Sequence, residues 1–370
     1  MSNNVTVIII ILCIILCIYF ITFYSYKTYN IDSKLSHNHA QIYKKFGYYP
    51  SKSHNYDVFI PSQFDDAEVE IDKYIQSVNH NKHKKYINGI YNMDYLASKR
   101  NFYVFLKMIY TDEILNELIP KTIMPKDLDK LNLDKNKIYI LKRDDLQQQK
   151  GLVLSNNKNH MMELINNTTY AVIQEFLQNP FIIQDYDYTN NTITNRKINL
   201  RIYTFVIIKN GVLKVFVYKD GFLYYTPDEF KYSLNPSNMI TTGYIDRSVY
   251  ARNPLTLSDF KTYVNLKGYN YDMFWELLKF KFAIIFEVYR RLWKINNSEF
   301  IHYQIFGADV EPNGNLTDLK ILEFNKGPDL DAKDERDKQL KENMFKDSLK
   351  LLFNNDSNVN FDEINFFTEL

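Results

Sequence analysis

The sequence has almost no cysteine. Its two, Cys13 and Cys17, fall within one apolar stretch near the N-terminus, and the rest of the chain has none. That excludes a disulfide-stapled secreted scaffold and a cysteine-ligated zinc or iron–sulfur centre. Glycine is scarce too, 10 of 370 residues, against an ordinary share of about 7%. Neither a Walker A pattern nor a G-x-G-x-x-G occurs, so neither common glycine-rich phosphate loop is present. Net charge is nearly absent as well: 45 Lys+Arg against 44 Asp+Glu leave a formal +1, without the basic field of a general nucleic-acid binder. There is no internal repeat or long low-complexity tract. What the chain does have is apolar and aromatic matter, 45% hydrophobic and 16% aromatic residues. That is enough for one large or two ordinary cores and argues against wholesale disorder.

Residues 5–24 carry no charge, and a helix of that length spans roughly 30 Å, the hydrocarbon thickness of a bilayer. A cleaved signal peptide wants a basic start and a small-x-small cleavage site. Here nothing basic precedes the stretch, and the first alanine is Ala40. A retained single-pass anchor is therefore expected over residues 1–24. Lys27, Lys34, Lys44 and Lys45 follow it, which places the bulk of the chain in the cytosol and the N-terminus outside or in a lumen. The N-x-S/T triplets at Asn166, Asn190, Asn296 and Asn315 matter only if that topology is reversed. Residues 25–94 read as a juxtamembrane linker and an irregular N-terminal part. The cluster His80, Lys82, His83, Lys84 and Lys85 suits an acidic partner, or more simply a solvated loop.

Beyond residue 95 the pattern is that of an α+β domain with antiparallel sheets. Short apolar runs at 137–141 and 170–176 read as strands. Two longer runs, 198–208 and 213–218, meet across Asn210-Gly211, the strongest short-range hairpin signal. A second hairpin is expected from 301 to 324, turning at Pro312-Asn313-Gly314-Asn315, with helices over 273–292 and 331–353. On the second hairpin Asp309 lies on one strand and Glu323 and Asn325 on the other. Residues two apart share a strand face, so the three oxygens converge if 309 pairs with 323. Such a set suits Mg²⁺, while isolated acidic residues on a strand are more often simply solvated. On the first hairpin Lys197, Asn199 and Arg201 alternate with Ile198, Leu200 and Ile202. That puts two cations and an amide on one face, able to hold phosphate oxygens or merely to face water. Lys142 and the pair Lys150-Gly151 add further basic candidates.

In this order the elements from about Tyr95 to Phe353 resemble the tubulin–tyrosine ligase-like family. The resemblance rests on Leu96-Ala-Ser-Lys99 before an apolar helix, Pro120-x-Thr122-x-x-Pro125, Tyr139-Ile-Leu-Lys142 and Lys150-Gly151. It continues through Val172-Ile-Gln174-Glu175-Phe-Leu177, Lys197-x-Asn199-x-Arg201, Tyr218-Lys219-Asp-Gly221, Asp309 and Glu323-Phe-Asn325. It implies an ATP-grasp fold over residues 95–370, two α/β subdomains clasping ATP. It also implies a ligase, using ATP and Mg²⁺, that joins a free amino acid to a protein carboxylate through an acylphosphate. By the same resemblance Lys142, Lys150, Gly151, Gln174, Glu175, Leu177, Lys197 and Asn199 bind ATP. Arg201 and Lys197 assist transfer, Asp309, Glu323 and Asn325 hold the metal, and Lys219 and Thr241 meet the amino acid. The acceptor would be tubulin or another acidic-tailed protein. Four features depart from the family pattern: one glycine in the phosphate loop, Asn199 for Asp, Lys219 for Arg, and an H-L-T-N-like segment that survives only as Met239-Ile-Thr241-Thr242. They keep open a nucleotide-binding relative that no longer catalyses, and a membrane-anchored interaction protein remains the third reading.

Overall fold

The computed structural model describes residues 27–30, 37–52, 56–62, 67–78, 85–144, 151–293, 299–328, 330, 332–354 and 356–366. The expected anchor, Lys150 and most of the basic cluster at 80–85 lie outside them. Among the described residues no helix is long and apolar enough to cross a membrane. The chain divides into two units, residues 1–88 and 89–370.

The first unit differs from the irregular linker expected. Strands β1 (Lys27–Asn30), β2 (Tyr48–Ser51), β3 (Val58–Phe59) and β4 (Lys85–Asn88) pair in parallel, with β1 between β2 and β3 and β4 beyond β3. Helices α1 (His37–Lys45) and α2 (Ala67–Ser77) accompany them. Tyr74 of α2 stacks on Phe59, ring centroids 4.4 Å apart, and its hydroxyl donates to Tyr56 O at 2.6 Å. Strands of two to four residues are too short to show alternation, which is why the sequence hides them. Lys85 is not part of a free basic loop: it is buried and its Nζ lies 3.5 Å from Asp57 Oδ1.

The second unit has the mixed α/β architecture with two antiparallel sheets that the resemblance implies. A small sheet runs β5 (Thr122–Ile123), β8 (Val172–Glu175), β6 (Tyr139–Lys142), β7 (Val153–Ser155). One face packs Leu141, Tyr139 and Ile173 against Met161 of helix α6 (Lys158–Asn167). The other packs Ile138 and Ile140 against Leu154, Phe176 and Met239. The large sheet is built on β10 (Thr192–Lys209), flanked by β11 (Val212–Tyr225) and β12 (Phe300–Pro312). Strand β13 (Leu319–Asn325) extends it beyond β12, β14 (Phe361–Glu363) beyond β11, and β9 (Ile182–Asp187) pairs the start of β10.

Both expected hairpins form. Asn210 and Gly211 take φ of 52° and 74°, the two left-handed residues that a tight type I′ turn requires. The other helices are α3 (Asp94–Ala97), α4 (Lys99–Ile109), α5 (Asp112–Leu118), α7 (Pro236–Met239), α8 (Arg247–Arg252), α9 (Leu257–Leu266), α10 (Tyr271–Leu292) and α11 (Glu335–Asn354). Helix α10 starts at an Asn270 cap and carries the apolar face that covers the large sheet. Its Lys281 is buried, donating to Glu117 O at 2.6 Å and Leu319 O at 2.8 Å, which satisfies a charge that burial would otherwise penalise.

Candidate functional site

Alternation along β13 decides where its polar residues point. Phe324 turns into the core, its ring 5.7 Å from Phe102 and 5.5 Å from both Phe282 and Phe286. Glu323 and Asn325, on either side of it, therefore face the opposite way. Asp309 pairs with Glu323, and a register shift follows, since Val310 pairs with Ile321 and leaves Leu322 as the extra residue of a bulge. On its other side Asp309 pairs with Arg201 of β10. Three adjacent strands thus align Arg201, Asp309 and Glu323 in one row. The guanidinium grips Asp309 as a fork, Nε to Oδ1 at 2.6 Å and Nη2 to Oδ2 at 3.1 Å.

Two glycines make room for Arg201. A Cβ on Gly221 would sit 2.2 Å from the Arg201 carbonyl oxygen, and one on Gly307 3.1 Å from Arg201 Cδ. The guanidinium lies over the Tyr224 ring, 5.2 Å from its centroid.

Further cations converge on this row. Lys99, the first residue of α4, has its Nζ 3.9 Å from Glu323 Oε2. Lys142 ends β6 and is buried. Lys197 Nζ pairs with Glu311 Oε2 at 2.7 Å, both side chains less than 5% exposed. The same ammonium lies 4.1 Å from the centroid of the Phe176 ring and 3.4 Å from Met239 O. Among the described residues, four cations, Lys99, Lys142, Lys197 and Arg201, thus stand against three carboxylates, Asp309, Glu311 and Glu323.

The electrostatics follow from that packing. Burial pushes the Asp309 carboxyl up, Arg201 opposes it, and the Glu323 charge adds to the rise. Burial also resists ionisation of Glu323, but Lys99, Lys142 and Arg201 outweigh it and hold this carboxyl below its ordinary value. Lys142 is pulled down by burial against the attraction of Glu323. Lys197 is likewise pulled down, and Glu311 pushed up, by burial that their mutual pairing offsets in part. Arg201 stays charged because Asp309 outweighs its burial.

Three buried acceptors, Gln174 Oε1, Asn199 Oδ1 and Glu311 Oε1, have no hydrogen-bond partner among the described residues. Such atoms are costly unless a ligand or water supplies a donor. Two carboxylates and an amide oxygen form a hard donor set that fits Mg²⁺ and leaves positions for water and phosphate. Among the described residues no group of three or more His, Cys, Asp or Glu could hold a metal ion. Both Asp309 oxygens are already engaged by Arg201, so a cation here would share them.

The structure brings Lys142, Lys197, Asn199, Arg201, Asp309, Glu323 and Asn325 into one cleft. Gln174 stands on the cleft face of the small sheet, with Nε2 donating to Thr122 Oγ1 at 3.0 Å. Glu175 pairs instead with Lys137 at 2.5 Å, and half-buried Leu177 follows where the chain leaves β8. Gly151 has a left-handed φ of 74°. Thr241 is half-buried beside Thr242, which bridges to Tyr225.

Lys219 is the exception. It is not with the others: its Nζ is 3.1 Å from Asp362 on β14, whose other oxygen accepts from Trp275 Nε1 at 2.7 Å. Parity puts it there: Asn199 pairs with Tyr224 and Arg201 with Phe222, so the even-numbered residues of β11 share the cleft face, while Lys219 takes the other face with Val217, which pairs with Asp362. Sequence reasoning missed Glu311 and Tyr224, although each is in phase with a residue it did select, Asp309 and Asn199. It also missed Asp185, a buried carboxylate receiving Arg196 Nε at 3.0 Å, Arg252 Nε at 2.8 Å and Asn253 Nδ2 at 2.7 Å. That hub ties β9, the start of β10 and α8 together behind the cleft.

Comparison with known proteins agrees with the layout. The model of the tubulin-tyrosine ligase family matches residues 69–361. Tubulin polyglutamylase TTLL6 of Mus musculus is 23% identical over 318 residues, covering 78% of this chain and 36% of its own length. The Homo sapiens TTLL6 is 24% identical over 318 residues, at 78% and 33%. Tubulin monoglutamylase TTLL4 of Mus musculus is 26% identical over 192 residues, at 46% and 16%. The chain thus spans about a third of the length of the TTLL6 proteins it matches.

Proposed function

The chain belongs to the tubulin-tyrosine ligase family, and from that premise we propose that it is an ATP- and Mg²⁺-dependent ligase joining an amino acid to a protein carboxylate. One observation carries the reading: the buried row Arg201–Asp309–Glu323, ringed by Lys99, Lys142 and Lys197. Such a cluster serves phosphoryl transfer, which needs positioning and charge neutralisation more than a nucleophilic side chain.

In the proposed reaction the acceptor carboxylate attacks the γ-phosphorus of ATP, releasing ADP and forming an acylphosphate. The amine of the amino acid then attacks the acyl carbon, phosphate leaves, and the amine proton passes to water. Lys142 and Lys197 hold phosphate oxygens, with Lys150 and Gly151 assigned beside them from the sequence alone. Gln174, Glu175, Leu177 and Asn199 border the nucleotide. Arg201 steadies the transferring group. Asp309, Glu323 and Asn325 would hold Mg²⁺, which supplies positive charge to the phosphates when bound. Lys219 is not assigned to the amino acid, because Asp362 holds it away from the cleft, and Thr241 keeps that role. The acceptor is taken as an acidic protein such as tubulin, since the similar TTLL6 and TTLL4 proteins are tubulin glutamylases by name. Membrane attachment through residues 5–24, with the remainder cytosolic, is part of the proposal on sequence grounds.

The test is thermal unfolding of the full chain with Mg²⁺ and a non-hydrolysable ATP analogue, followed by amino-acid incorporation. Ligand at 100 times its dissociation constant stabilises by about 2.7 kcal/mol, a rise of roughly a few degrees. Glu323→Gln should abolish the metal-dependent part of the shift and turnover together, and near-normal activity in that variant would sink the metal assignment. A second reading, a nucleotide-binding relative without catalysis, is favoured by the Arg201 fork that already occupies both Asp309 oxygens. A thermal shift without incorporation of any amino acid would identify it.

A further inference from the structure

One step along the strands from the pair Arg201–Asp309, three more polar residues share the cleft face. Leu200 pairs with Val310 and Arg201 with Asp309, so Lys197 and Asn199 on β10 and Glu311 on β12 stand on the same side as Arg201 and Asp309. Lys197 Nζ takes Glu311 Oε2 at 2.7 Å, lies 3.4 Å from Met239 O and faces the Phe176 ring, 4.1 Å from its centroid. One Glu311 oxygen is thereby spent. The other, Oε1, and Asn199 Oδ1 on the same face are buried and have no hydrogen-bond partner among the described residues. Glu311 is 3% exposed and Asn199 8%.

Two acceptors cannot satisfy each other, and a buried acceptor left unmet is costly. The group they await must donate. Ionised phosphate and carboxylate oxygens only accept, which excludes them. An ammonium would enter against Lys197 and Lys142, whose charges already act on Glu311. A neutral donor remains, and two acceptors on one strand face match two hydroxyls on adjacent carbons, as on a ribose. Position agrees. A strand rises about 3.3 Å per residue, so Asn199 lies roughly 7 Å from Arg201 along β10. A nucleotide with its phosphates at Arg201 therefore lays its sugar over Asn199 and Glu311. The sequence adds an independent point: the family pattern has Asp at position 199, and here the residue is an amide. Glu311 puts a carboxylate on the facing strand instead.

We propose that Glu311 is a specificity-determining residue that supplies from β12 the carboxylate position 199 lacks: with Asn199 it accepts the hydroxyls of the nucleotide sugar while it holds Lys197. This role rests on the nucleotide site of the ligase reading above. Asn199 is then half of a relocated pair and not a sign of lost activity.

The experiment is isothermal titration of the full chain, in Mg²⁺, with ADP, 2′-deoxy-ADP and 3′-deoxy-ADP, each protein first melted without ligand to establish that it is folded. Wild type should bind ADP at least about ten-fold more tightly than one or both deoxy forms, the loss expected when a hydrogen bond to a charged group is removed. Glu311→Gln keeps the shape but turns its amide nitrogen to the sugar, because Lys197 claims the oxygen. Discrimination should fall below about two-fold in that variant, and Asn199→Asp added to it should restore at least about five-fold. Asn199→Ala leaves the Lys197–Glu311 pair intact and should also reduce discrimination, so it carries the test if Glu311→Gln does not fold. Equal binding of all three nucleotides by wild type overturns the proposal and leaves the nucleotide site standing. So does a Glu311→Gln variant that weakens ADP and the deoxy forms by the same factor, which would make Glu311 a structural partner of Lys197 only. Failure of Asn199→Asp to restore discrimination overturns the relocation. Absence of ADP binding by folded wild type overturns the nucleotide site and this role with it.

Discussion

Arg201 is the residue on which the cleft turns, and its surroundings state how little freedom it has. It needs the missing side chain of Gly307 as much as it needs Asp309: a Cβ there would press within 3.1 Å of Arg201 Cδ and 3.3 Å of Nη1. Gly307→Ala should therefore displace the guanidinium from its fork. Overpacking of this kind costs about 1–3 kcal/mol, and the nucleotide-dependent thermal shift should fall by more than that loss of basal stability explains. Asp185 gives the contrasting case, a residue of the frame and not of the chemistry. Burial would raise its pKa, yet Arg252, Asn253 and Arg196 hold it below the ordinary carboxylate value. Asp185→Ala leaves two arginines facing an apolar hole, and removing one partner of a buried pair costs about 3–5 kcal/mol. The midpoint of urea unfolding should drop accordingly, with little change in nucleotide affinity per folded molecule.

Elements explain what could be read from the chain and what could not. The two hairpins were legible because Asn210-Gly211 and Pro312-Asn313-Gly314 announce their turns and long alternating runs flank them. Their charged faces were legible for the same reason: Lys197, Asn199 and Arg201 keep the two-residue period, as do Glu323 and Asn325 around Phe324. Lys219 was chosen from its motif and not from the period: the β11 residues opposite Asn199 and Arg201 are the even-numbered Tyr224 and Phe222, which leaves 219 on the other face. The parallel strands before residue 88 were invisible because none exceeds four residues. Strand β14 could not be foreseen from three residues either, yet it secures the sheet edge: Phe361 packs 5.0 Å from the Tyr218 ring, and Ile364 N donates to Val215 O at 2.8 Å. Ending the chain at residue 358 should expose that aromatic edge. It should also release Lys219, Trp275 and Lys279 from Asp362, seen as faster amide exchange along β11.

For the whole molecule the acid limb of stability is set in part by a residue far from the chemistry. His302 is buried in β12, its Nδ1 2.9 Å from Gly89 O, and burial pulls its pKa from 6.5 down to about 4. A carbonyl only accepts, so Nδ1 carries the proton and the imidazole is neutral. Between pH 6.5 and 4 the unfolded chain binds a proton that the folded chain refuses, so stability falls as pH drops through that window, by about 1.4 kcal/mol per unit and roughly 3 kcal/mol in all. Thermal melts of wild type should steepen in their pH dependence below 6.5 relative to His302→Gln.

The layout of the large sheet also implies an order in time. Each hairpin closes over a short loop, but Arg201 and Asp309 are 108 residues apart, and joining distant segments is the slow part of folding. Until β10 meets β12, one ribbon presents a cationic face and the other an anionic one, each without its counter-charge. The row Arg201–Asp309–Glu323 is then the last seam of the fold to close. Substitutions beside the Asn210–Gly211 turn should slow refolding, while those at Arg201 and Asp309 should chiefly hasten unfolding.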